Sequence, residues 1–217
     1  MKTVAFVPIK LNNERLPNKN ILPLGGKPLC RHMLDTLLEV KGIDEIYVFC
    51  SDETIKQYLP DGVRFLRRKS SLDSFKTEHY QIVDSFLSIV NADIYVNAHV
   101  TNPFITVKTI EDGLSKVISG EFESAHTVFP LYDHLWYKNA PFNFTLVTLP
   151  RTQEITPMYI DTNLCIYRRE VYTQNKSRYS ENPYFMIVDK YESVDIDYPD
   201  DYELAKAICL MRGANAL

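Results

Sequence analysis

No stretch of this chain reaches the run of roughly 20 apolar residues that a membrane-spanning helix needs. The apolar opening, Met1–Pro8, is too short for a signal-peptide core and lacks a small-residue cleavage site. Cysteine is sparse: Cys30, Cys50, Cys165 and Cys209 lie far apart with no CxxC pair. That spacing speaks against a zinc site or a disulfide framework and for a reduced, cytoplasmic chain. Positive charge is not in excess either, with 24 Lys+Arg against 28 Asp+Glu and a net charge of −4. A bulk electrostatic nucleic-acid binder is usually basic, so neither a nucleic acid nor a membrane is expected as a partner. GxxxxGK[ST], HExxH, GxSxG and SxxK are all missing, and so are internal repeats. The phosphate loop, metallohydrolase helix and serine nucleophile that those motifs encode are therefore not expected. What remains is 217 residues, 45% of them hydrophobic, enough for a real core in a single domain spanning 1–217.

The apolar runs are short, β-branched and alternate with helical patterns. Thr3–Pro8, Glu45–Cys50, Val63–Leu66, Ala92–Ala98 and Ser124–Phe129 read as strands. Pro28–Val40, Asp52–Leu59, Thr77–Val90 and Val107–Ser119 read as helices between them. Such alternation predicts an α/β fold: a doubly wound, mostly parallel sheet with helices on both faces. From Tyr132 to Pro157 the character changes to Pro, Asn and aromatic residues, and a hairpin-like excursion is expected. Strands at Asn163–Tyr167 and Tyr191–Ile196 follow. A helix from about Pro199 to Met211 comes last, with Pro199, Asp200 and Asp201 suited to its first turn.

Three cations, Lys10, Arg15 and Lys19, follow the first strand within ten residues. The C-terminal strand edge of an open α/β sheet is where ligands bind, and Arg and Lys suit phosphate oxygens. The same cations also suit a solvated basic loop. In Val194–Pro199, Asp195 and Asp197 alternate, which in a strand places both carboxylates on one face. Such a pair suits Mg²⁺, which completes its shell with substrate phosphates and water. It reads equally as an acidic strand end before a helix. His99-Val-Thr-Asn102-Pro-Phe104 is a polar strand end or a turn. Arg151, in an apolar stretch, looks buried and calls for an anionic ligand or a structural ion pair. His134-Leu-Trp136-Tyr137 reads as hairpin packing.

Taken in order, these segments resemble the CMP–ulosonic-acid synthetases, the cytidylyltransferases of sialic acids, related nonulosonates and 3-deoxy-manno-octulosonate. The likeness runs through Lys10-x4-Arg15-Leu-Pro-x-Lys19-Asn20-Ile21 and Cys50-Ser51-Asp52. It continues through Arg68-Lys-Ser-Ser-Leu72-Asp73, His99-Val-Thr-Asn-Pro-Phe104 and Pro150-Arg151-x-Gln153. Asn163-Leu-Cys-Ile-Tyr167 and Asp195-Ile-Asp197-x-Pro-x-Asp201-x-x-x-Ala205 complete it. The resemblance implies a nucleotide-diphospho-sugar-transferase-like fold and a homodimer whose 132–157 excursion reaches the other subunit's site. It implies CMP transfer from CTP to the anomeric hydroxyl of an acidic sugar, with Mg²⁺ as cofactor. Lys10, Arg15 and Lys19 would then hold the triphosphate, and Asn20 and Arg68 the nucleotide. Asp195 and Asp197 would hold the metal, Arg151 the sugar carboxylate, and His99, Gln153 and Asn163 the rest of the sugar. Lys10 stands where the family has Arg, His99 where it has Gln, and Leu164 where it has Gly, so the acceptor itself is left open. Two rivals are a GT-A-type glycosyltransferase, whose DxD ends a mid-chain strand, and a non-catalytic nucleotide-binding homologue.

Overall fold

The computed structural model describes residues 1–214; the last three positions of the expected domain lie outside the described residues. Seven strands form one sheet: β1 (Thr3–Pro8), β2 (Glu45–Cys50), β3 (Val63–Arg67), β4 (Ile94–Asn97), β5 (Ser124–Leu131), β6 (Met158–Arg168) and β7 (Tyr184–Ile187). Their order across the sheet is β7-β5-β6-β4-β1-β2-β3. All run parallel except β6, which lies antiparallel between β5 and β4. The mostly parallel, doubly wound expectation therefore holds.

Alternation along β1 sets the two faces. Ala5 and Val7 look toward α1 (Leu29–Glu39) and α3 (Val107–Ser119), which bury Met33, Leu34, Leu37, Ile110, Leu114 and Val117 there. Val4 and Phe6 look the other way. There α2 (His79–Leu87) and α4 (Arg169–Asn175) bring Val83, Phe86 and Tyr172. Local chemistry ends the helices as it starts them. The Thr106 hydroxyl accepts the Thr109 N–H at the start of α3, and Gly120 closes it with φ 81°. Glu78 and Gln81 form a reciprocal capping box at α2. A third cluster seats α5 (Pro199–Ala214) against the loops through Leu24, Leu29, Phe104, Ile196, Ala205 and Ile208.

Three expectations need correction. Asp52–Leu59 is a 3-10 helix over Glu53–Tyr58, capped by Asp52. Tyr191–Ile196 is no strand. Asp189 Oδ1 accepts the N–H groups of Tyr191 and Glu192 at 2.8 Å each, which turns the chain there. The paired strand falls earlier, at β7. The expected excursion holds only a two-residue-per-strand hairpin, Trp136–Tyr137 with Ala140–Pro141, in otherwise irregular chain.

Crossovers from β1 to β2 run to one side of β1, while β4 pairs on its other side. The gap between the C-terminal ends of β1 and β4 is thus a topological switch point, where such sheets bind ligands.

Candidate active site

The loop after β1 is built to hold its cations. The Asn20 side-chain amide donates to the Lys10 carbonyl at 2.7 Å, and the Ile9 N–H donates to the Phe49 carbonyl at 3.1 Å. Lys19 is only 7% exposed, unusual for lysine, and its Nζ lies 2.8 Å from Asp197 Oδ1. The Arg15 Nη2 lies 2.8 Å from the other oxygen, Oδ2. Its guanidinium also stacks 4.9 Å from the Tyr198 ring centroid. Lys10, Asn13, Glu14, Arg15, Lys19 and Asp197 line a cleft of about 360 Å³.

The aspartate segment reaches this cleft although it is not a strand. The loop after β4 holds it: the Ile196 N–H donates to the Thr101 carbonyl at 2.9 Å, and the Asn102 amide to the Val194 carbonyl at 3.2 Å. The Asp201 carboxylate accepts the N–H groups of Asp197 and Tyr198 at 2.9 and 2.7 Å, so the start of α5 fixes Asp197. Asp195 Oδ2 accepts the Asn163 amide at 2.8 Å. Asn163 sits at the irregular register of β6 with φ 71°, a left-handed conformation that Asn tolerates. Its N–H donates to Asp161 Oδ1 at 2.8 Å. The other oxygen of Asp195, Oδ1, is buried with no partner among the described residues. Burial pushes this carboxyl above the usual carboxylate range and Asp197 adds to the shift, while the nearby Thr101 and Lys19 pull the other way.

These residues fit a magnesium ion. The donors are two carboxylates: Asp195 Oδ1 has no partner among the described residues, while both oxygens of Asp197 are engaged by Lys19 and Arg15. Mg²⁺ takes one or two carboxylates and fills its shell with phosphate and water, whereas zinc asks for more protein ligands.

A second cleft, about 480 Å³, opens beside β2 and β3 and is lined by Ser51, Arg67, Arg68, Lys69, Ser70 and Ser71. Arg68 is 3% exposed. Its Nη2 lies 2.5 Å from Asp73 Oδ1, and the Ser51 hydroxyl donates to the same carboxylate. The Arg68 Nε is buried without a partner among the described residues.

A family model described as cytidylyltransferase matches residues 4–216. The chain belongs to the cytidylyltransferase family. It is 26% identical over 220 residues to the N-acylneuraminate cytidylyltransferase of Streptococcus agalactiae serotype V, covering 93% of this chain and 52% of that protein. It therefore spans about half the length of the first relatives it matches. The CMP-N,N'-diacetyllegionaminic acid synthase of Legionella pneumophila is 24% identical, with 96% of each chain covered. In fold, the chain is similar to a CMP:2-keto-3-deoxy-manno-octonic acid synthetase complexed with CTP. There the TM-score is 0.69 at 20% identity, over 98% of this chain and 100% of that one. Family membership sets the GT-A glycosyltransferase reading aside.

Against this cytidylyltransferase frame, the predicted residues divide. Lys10, Arg15, Lys19, Asp195, Asp197 and Asn163 come together at the switch point. Asn20 is placed as a loop brace, its amide engaged by the Lys10 carbonyl. Arg68 lines the neighbouring cleft. His99 is half-buried near Lys19, its ring centroid 5.5 Å from that of His79. Burial pushes His99 down to about 3. Arg151 is a correction: its side chain is 76% exposed, and its Nε contacts Glu154 at 3.1 Å, not an anion pocket. Gln153 is likewise exposed, in the short turn Thr152–Glu154. Neither bonds to another predicted site residue. His134 packs as expected, its Nε2–H donating to the Pro150 carbonyl at 2.8 Å and its ring meeting Phe144 edge-on. Sequence reasoning missed Tyr198 and His79, and held Thr101 and Asp73 only as members of quoted segments, with no role of their own. Asp201 is the exception, since its place in the first turn of a helix was legible.

Proposed function

We propose that this chain transfers CMP from CTP to the anomeric hydroxyl of an acidic, ulosonic-type sugar, releasing pyrophosphate. The observation that carries the reading is the juxtaposition of Asp195 and Asp197 with Lys19 and Arg15 at the β1/β4 switch point, with Asp195 Oδ1 unsatisfied. The names of the relatives, which act on N-acylneuraminate and diacetyllegionaminic acid, support an acidic acceptor.

In this mechanism Lys10, Arg15 and Lys19 bind the triphosphate and offset charge as the bond between the α-phosphorus and its bridging oxygen breaks. The acceptor oxygen forms the new bond to the α-phosphorus, its proton passes to solvent, and pyrophosphate leaves. Asp197 poises Lys19 and Arg15 before nucleotide arrives, since both cations already converge on it. Asn163 orients Asp195 through Oδ2 and leaves Oδ1 directed elsewhere. Mg²⁺, held by Asp195 and Asp197, supplies neutralisation of phosphate charge when bound. The cleft beside Arg68 receives the nucleoside end, with Arg68 Nε as the free donor and Ser51 lining the wall. We assign the whole of the chain to one catalytic domain.

Residues 132–157 serve as a dimerisation excursion in this reading. Trp136, Tyr137, Phe142, Leu146 and Leu149 are all exposed there, a density of bare apolar surface that a second copy would cover. The test of the function is pyrophosphate release with Mg²⁺, with CTP, UTP, ATP and GTP each tried against a panel of 2-keto-3-deoxy sugar acids. A signal from CTP with an acid supports the reading. CTP binding without turnover on any acid moves the chain to the non-catalytic homologue.

A further inference from the structure

Arg178, in the loop between α4 and β7, has no role so far. Its half-buried guanidinium lies against the end of β4 and the middle of β6. Nη1 donates to Asn97 Oδ1 at 3.0 Å and toward Cys165 Sγ at 3.4 Å. Among the described residues, Nε and Nη2 have no hydrogen bond and no carboxylate pairs with Arg178. Asp161, the acid whose charge reaches it, accepts the Tyr179 hydroxyl at 2.6 Å and the Asn163 N–H at 2.8 Å. The other groups facing Arg178 carry no compensating charge. Burial pushes His79 down to about 4 and His99 to about 3, and raises the Cys165 thiol. His126, on β5, is likewise pushed down to about 4, first by burial. A cation thus faces a cavity of about 180 Å³, lined by His79, Tyr80, Tyr172, Lys176, Arg178 and Tyr179, without an anion to match it. Lys176, the other cation there, is occupied by Asp84 at 2.9 Å.

Its position joins this group to the active site. His99 feels both Arg178 and Lys19. Cys165 is two residues along β6 from Asn163, which holds Asp195. An arginine whose Nη1 is fixed presents the Nε–Nη2 edge, the two-pronged donor that matches a carboxylate. We propose that this edge of Arg178 receives the carboxylate of the acid acceptor, with Asn97 bracing the guanidinium, His79 walling the pocket and His99 packed behind His79. The proposal rests on the CMP-transfer reading and moves the carboxylate contact from Arg151 to Arg178.

Calorimetry on the full chain with Mg²⁺ and a non-transferable CTP analogue tests it. The acids titrated are 3-deoxy-manno-octulosonate, N-acetylneuraminate and N,N'-diacetyllegionaminate. The expected result is that at least one acid binds the wild type and loses about 10- to 100-fold affinity in Arg178→Met, the range of a charge-assisted hydrogen-bond loss. Arg178→Lys, which keeps charge but not the fork, falls between. CTP-analogue affinity stays within about twofold in both, and in turnover the acid KM rises more than kcat falls. Unchanged acid affinity in either folded variant overturns the proposal. So does a wild type that binds the CTP analogue but none of the acids. A wild type that does not bind the CTP analogue at all overturns the CMP-transfer reading itself.

Discussion

At the scale of single residues, the two aspartates are expected to separate function from stability. Asp195 is a half-buried carboxylate whose Oδ1 is buried without a hydrogen bond among the described residues, an arrangement that costs stability. Asp195→Asn should raise the melting temperature by a few degrees, about 1 kcal/mol, while abolishing turnover. Asp197 is different, because it holds the buried Lys19. Asp197→Asn should lower stability by about 1–2 kcal/mol, discounted for the partial exposure of Asp197, and also abolish turnover. Paired thermal melts and activity assays check this, and equal stability changes would contradict it. Histidines give a second residue-scale prediction. His79, His99 and His126 are held by burial at about 4, 3 and 4, below the 6.5 of an unfolded histidine. All three are therefore neutral in the fold at pH 6, while the unfolded chain has begun to protonate them. Their contribution is complete above pH 6.5 and is lost as pH falls toward 4. Each proton taken up on unfolding is worth about 1.4 kcal/mol per pH unit. Melts at pH 7.0 and 5.0 should show the loss, and His126→Asn should make the slope shallower. A pH-independent melt across that window would contradict the assignment.

At the scale of elements, packing predicts where substitution hurts most. Phe86 on α2 is fully buried and stacks on Phe6 of β1 with ring centroids 4.2 Å apart. Phe86→Ala should cost about 3–5 kcal/mol in denaturant titration. Gly113 tests a subtler point. In an ordinary helix, alanine there would gain about 1 kcal/mol. Here a Cβ would come within 2.1 Å of Met186 Sδ on β7. Gly113→Ala should therefore destabilise by about 1–2 kcal/mol, and less in a Met186→Val background; a stabilised Gly113→Ala would show that α3 does not sit on β7 this closely. Elements also show what was legible in the sequence. Strands β1 and β2 and helix α3 match their expected bounds because apolar period and caps agree. Helix α4 gave no such signal: in seven residues it buries only Val171 and Tyr172. The run Tyr191–Ile196 looks like a strand, but its place is decided by Asp189 turning the chain and by buried Glu192 accepting the Thr106 N–H at 2.8 Å. Lys19 and Asp197 were each legible as candidates, yet their contact was not, since only the crossovers bring positions 178 residues apart together. Arg178 and His79 carry no motif, and tertiary placement alone reveals them.

At the scale of the whole molecule, the sheet places cations from the first loop and carboxylates from the last irregular segment on one edge. The parallel strands fix that edge, and the antiparallel β6 brings Asn163 back to it. Residues 132–157 carry a run of exposed apolar side chains, Trp136, Tyr137, Phe142, Leu146 and Leu149 among them. Sedimentation should report a dimer, and Trp136→Glu with Leu149→Glu should shift it to monomer; a wild-type monomer would contradict the proposed excursion. None of the described helices is long and apolar enough to cross a membrane. The most direct test of the central claim is pyrophosphate release from CTP and Mg²⁺ with 2-keto-3-deoxy sugar acids, run on the wild type and on Asp195→Asn side by side. The account predicts release with CTP, dependent on an acid, and a loss of at least about 10³-fold in the variant, of the order seen when a transition-state electrostatic contact is removed. Equal release by both proteins, or none from the wild type with any acid, would contradict it.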